Sequence, residues 1–69
     1  MNKRYDVGRE FMVLVGVGGI STRWFFASKE RAIEFAQRES LREDVKLFAP
    51  SRLGGGALAL FRDGRKVAA

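Results

Sequence analysis

Apolar residues gather into a few short runs along the chain, and the spacing inside each run predicts a different element. Phe11-Met12-Val13-Leu14-Val15-Gly16-Val17 is apolar at nearly every position and rich in β-branched residues, the pattern of a strand covered on both faces. Gly18-Gly19 offers the positive φ angles of a tight hairpin turn. Ser21 to Ala27, with Trp24, Phe25 and Phe26, then returns as a second strand.

From Ser28 the period changes to that of a helix. Ser28 is a natural N-cap, and Glu30 places a negative charge in the first turn. Ala32, Ile33, Ala36 and Ser40 share one face with Phe35 at its margin, while Arg31, Glu34, Gln37, Arg38 and Glu39 point away. The helix is expected to end near Glu43. Asp44 to Ala49 alternates, with Val45, Leu47 and Ala49 opposite Lys46 and Phe48, until Pro50 stops the strand. Pro50 to Gly56, with three consecutive glycines, reads as a flexible loop. Ala57 to Arg62 is another strand. Asp63-Gly64 is a type I′ turn signal that sends Arg65 to Ala69 back beside it.

The expected fold is therefore α+β, in the order ββαββ. It has an antiparallel sheet of four strands, with Arg65 to Ala69 as a candidate fifth, and one helix packed on one face. Sixty-nine residues make one domain, with residues 1–8 set apart as a flexible N-terminal segment. The run at Phe11–Val17 is too short and too soon broken by glycine for a signal peptide or a membrane span, so a cytoplasmic protein is expected.

One helix covers one face, yet the strands carry apolar residues on both. Phe11, Val13, Val15 and Val17 oppose Met12 and Leu14; Trp24 and Phe26 oppose Phe25 and Ala27; Leu58 and Leu60 oppose Ala59 and Phe61. An uncovered apolar face marks an interaction surface, so a homodimer or a protein partner is expected. The competing reading is a sheet that curls over itself, with Tyr5 and the N-terminal segment covering the remainder.

Composition narrows the chemistry. The chain has no cysteine and no histidine, which excludes disulfides, thiolate metal sites, a thiol nucleophile and the usual general base near neutral pH. Neither a catalytic residue, a metal site nor a cofactor is expected. Paired carboxylates such as Glu30 and Glu34 lie beside basic residues at ion-pair spacing, the mark of a solvated helix face. Gly16-Val17-Gly18-Gly19 resembles a phosphate-cradling loop, but it leads into a strand, and such a loop must open a helix.

The net charge is +5, unevenly placed. Between residues 28 and 43 four basic residues meet four acidic ones, whereas residues 46–69 hold Lys46, Arg52, Arg62, Arg65 and Lys66 against Asp63 alone. Arg23, Trp24, Phe26, Lys46, Phe48, Phe61, Arg62 and Arg65 are accordingly the candidate partner-binding residues. Their basic and aromatic character also admits a nucleic-acid-binding sheet, although no aromatic RNA-recognition fingerprint is present.

Ser28-Lys29-Glu30-Arg31-Ala32-Ile33-Glu34-Phe35-Ala36, a following strand, and Ala57 to Lys66 around Asp63-Gly64 together resemble, in size and element order, certain phage-encoded type I anti-CRISPR proteins. The resemblance covers about the last forty residues. It implies a non-enzymatic inhibitor that binds a host protein or nucleoprotein complex and blocks a functional surface. No family motif is matched residue by residue, so no site residue is carried over.

Overall fold

A computed structural model describes residues 8–17 and 20–68. Five strands and one helix follow in the order β1 (Phe11–Val17), β2 (Ile20–Phe26), α1 (Lys29–Glu39), β3 (Val45–Phe48), β4 (Ala57–Arg62) and β5 (Arg65–Ala68). The strands form one antiparallel sheet in the order β2-β1-β3-β4-β5. The α+β class and the helix-covered sheet expected from the hydrophobic pattern are present, with the fifth strand formed. Tyr5, the Gly18-Gly19 turn and most of the N-terminal segment lie outside the described residues.

The helix lies across β1 and β3, the two strands that need cover most, and reaches β2 and β4. Ala32 and Ala36 are fully buried on its inner face, and these small side chains let the helix backbone approach the sheet. Val13, Val15, Val45, Leu47, Ala59 and Phe61 meet it from the strands. Ser28 caps the N-terminus as expected, its Oγ accepting a hydrogen bond from the Arg31 amide at 3.3 Å.

Three local expectations are corrected. The helix ends at Glu39 rather than near Glu43, because Ser40 is tied to the β4–β5 turn. Ser40, 3% exposed, accepts from the Gly64 amide on Oγ (2.8 Å) and from the Asp63 amide on its carbonyl (2.9 Å). The same hydroxyl donates to the Gln37 carbonyl at 2.8 Å. Continuing the helix would pull Ser40 off the turn. Ser40→Ala is expected to lower stability by about 1–3 kcal/mol, since it leaves the Gly64 amide without its partner. Urea unfolding should show a lower midpoint with an unchanged slope.

The second correction concerns Pro50 to Gly56, which is not an open loop. Ser51–Leu53 form a 3₁₀ turn, closed by hydrogen bonds from the Leu53 and Gly55 amides to the Pro50 carbonyl. The Arg52 amide donates to the Gly8 carbonyl (3.0 Å), tying this segment to the start of the described chain.

The third is a bulge in β4. Leu47 pairs with Ala59 but Phe48 pairs with Ala57, so Leu58 is the extra residue. The strict alternation that set Leu58 opposite Ala59 therefore fails. Leu58 joins Ala59 and Phe61 against the helix-side core, and Leu60 stays on the far side. The Asp63-Gly64 turn has φ of 56° and 85°, the two positive values that a type I′ turn requires.

Candidate sheet-face contact surface

The face of the sheet turned away from α1 is built from the alternate residues of the strands that build the core. Its rows follow from the register. In one row Phe25, Met12, Phe48 and Ala57 stand side by side; in the next are Arg23, Leu14, Lys46, Leu60 and Ala68. Met12, Leu14, Phe25, Phe48 and Leu60 are all half-buried, in contrast to their strand neighbours Val13, Val45 and Leu47, which the helix seals. Arg23 and Lys46 flank Leu14 directly, and Lys46 in turn stands between Leu14 and Leu60, so cations and apolar residues alternate across the strands of this row.

A groove of about 310 Å³ runs over this face between Met12, Phe25 and Phe48, closed by Glu10, Arg23 and the 3₁₀ segment. Glu10 Oε1 is buried there without a hydrogen-bond partner among the described residues. Alternation sets Met12 and Leu14 opposite Val13 and Val15, and Leu60 opposite Phe61, without deciding which face the helix takes; it does not single out Glu10. The register alone brings them together.

At the other end of the face, Arg62 forms a bidentate pair with Asp44 (Nε–Oδ1 3.0 Å, Nη2–Oδ2 2.7 Å). The hydrogen bonds from Arg62 hold the Asp44 carboxyl below the ordinary carboxylate range; desolvation opposes this and the guanidinium's charge adds to it. The same pairing raises Arg62. A depressed acid stabilises the fold above its unfolded pKa and loses that contribution as pH falls through the folded value, so this pair is released only in acid. Both side chains are about half exposed, so the pair orients Arg62 more than it stabilises the domain.

The eight candidate residues do not form one site. Arg23, Lys46, Phe48, Arg62 and Arg65 lie on the open face, Arg65 paired with Arg62 at the β4–β5 edge. Trp24, Phe26 and Phe61 point to the helix side. Phe61 is 2% exposed at the centre of the core. Trp24 and Phe26 each pack against Phe35 with ring centroids 5.1 Å apart. Glu30 and Glu34 lie on the exposed side of the helix.

Among the described residues no group of three or more metal-ligating side chains comes together, and no helix is long and apolar enough to cross a membrane. No protein-family model matches the chain, and curated proteins and solved structures likewise give no significant match.

Proposed function

We propose that this protein is a non-catalytic protein-binding module whose open sheet face is the contact surface. The observation that carries the proposal is the one-sided cover of the sheet. One helix serves one face, while Met12, Leu14, Phe48 and Leu60 stay half-buried on the other, where Arg23 and Lys46 flank Leu14. An open apolar face crossed by cations suits a protein partner of complementary charge. The cations select a partner with acidic groups around an apolar knob.

A module of this kind acts by occupancy. We therefore assign it an inhibitor's mode of action, covering a functional surface of a host protein or nucleoprotein complex, the role implied by its likeness in element order to type I anti-CRISPR proteins.

The cations of this face also favour a second reading, single-stranded nucleic acid. Stacking platforms need exposed ring faces. Here Trp24, the most exposed aromatic side chain among the described residues, is on the opposite side, and Phe61 is in the core. Fluorescence titration with single-stranded RNA and DNA at low salt is expected to be flat. The protein immobilised in an extract of the cells that make it should retain a partner that Lys46→Glu loses. Saturable, salt-sensitive nucleic-acid binding that Lys46→Glu abolishes would replace this proposal with the second reading.

A further inference from the structure

The two edges of the sheet are not equivalent. β5 is a guarded edge: four residues long, opening on Arg65 and Lys66, with a register shift where it pairs with β4. β2 carries few such devices. It runs seven residues in unbroken register with β1, contains no proline, and bears Arg23 as its one charge. No strand among the described residues pairs with its outer side. A long, regular edge rich in aromatic residues is a template for another strand.

The surface beside this edge identifies the strand it fits. Trp24 is 46% exposed on the helix side of β2, packed at a tilt against Phe35, which also contacts Phe26. A groove of about 500 Å³ between β2 and α1 continues the patch, and its charged residues are Glu30, Glu34, Arg31 and Arg38. Two acids and two bases make this surface neutral in a chain of net charge +5. A two-fold interface meets its own copy, so it must be self-complementary in charge. The open face fails that test, because it sets Arg23, Lys46, Arg62 and Arg65 against Asp44 and Glu10 and so keeps an excess of cations. Two such faces repel.

We infer that β2 pairs antiparallel with β2 of a second copy, joining the two sheets into one of ten strands about a dyad normal to the sheet. Such a dyad keeps both helices on the same side. The Trp24–Phe35 clusters of the two protomers then meet beside the new strand pair, and the neutral helix surfaces flank them. Both open faces lie on the opposite side as one continuous surface, left clear for a different partner. The inference uses another surface than the proposed function and does not depend on it.

Sedimentation equilibrium from about 1 µM to 1 mM tests it, with an expected dimer that dissociates in the micromolar range. Trp24→Lys should raise the dissociation constant at least tenfold, with an unchanged far-UV spectrum. If that variant unfolds, Thr22→Lys on the same side of β2 carries the test. In wild-type protein, amide exchange in β2 should slow with rising concentration while β5 is unaffected. A monomer throughout the range overturns the inference. A dimer indifferent to both substitutions but broken by Leu14→Glu does so too, since that result places the second copy on the open face.

Discussion

Phe61→Ala is expected to unfold most of the protein at 25 °C, whereas Phe48→Ala, the same change in the neighbouring strand, leaves it folded. Phe61 is the largest side chain in the buried cluster and is closed in by the helix and β3. Truncating such a residue costs about 3–5 kcal/mol in lost transfer free energy and residual cavity. A domain of this size draws only about 3–5 kcal/mol from its core, and this chain has no disulfide to add to it. The loss is then comparable to the whole stability. Phe48 is half-buried on a face that no helix among the described residues covers, so its truncation forfeits less apolar burial and leaves a surface depression that water fills. Far-UV circular dichroism with thermal melts on the two variants reads the difference. Similar losses at both positions would mean that the open face is packed as firmly as the covered one.

Several elements were legible because their periodicity is local. Val45, Lys46, Leu47 and Phe48 alternate as they should, and both odd-numbered residues are buried. Ala32, Ala36 and Ser40, grouped by helical spacing, are the three buried residues along that stretch. Ser28 caps α1 for reasons visible in four consecutive residues.

What was not legible depends on partners distant in the chain. Nothing near Leu58 marks it as an extra residue; the bulge exists because Leu47 and Phe48 of β3 pair with Ala59 and Ala57. Leu41-Arg42-Glu43 reads as a continuing helix, and it is halted by the bonds that Ser40 receives from residues 63 and 64, more than twenty positions away. The candidate site divided for a related reason. Trp24, Phe25 and Phe26 are consecutive aromatic residues without alternation, so only the register with β1 decides which face each one takes. Cations could be gathered from composition and the two apolar faces from alternation, but which face stays open could not, because Met12, Leu14 and Leu60 look like core until the helix is seen to cover one side.

The two faces of the sheet differ in cover, and adjacent residues of β1 sample both. Val13 is fully buried against α1, while Leu14 is half-buried on the open face with Arg23 and Lys46 directly opposite it in the flanking strands. Glutamate at position 13 buries an unpaired charge, a cost of several kcal/mol that the domain cannot absorb. At position 14 the same side chain gains two cations across the ladder, each such pair favourable by about 0.2–1 kcal/mol. It also removes the centre of the contact surface and cancels part of its charge. The decisive measurement is therefore partner retention by immobilised Leu14→Glu, beside thermal melts of Val13→Glu and Leu14→Glu. The prediction is an unfolded Val13→Glu and a folded Leu14→Glu that no longer retains the partner. A folded Leu14→Glu that retains the partner as well as wild type would contradict the assignment of function to the open face.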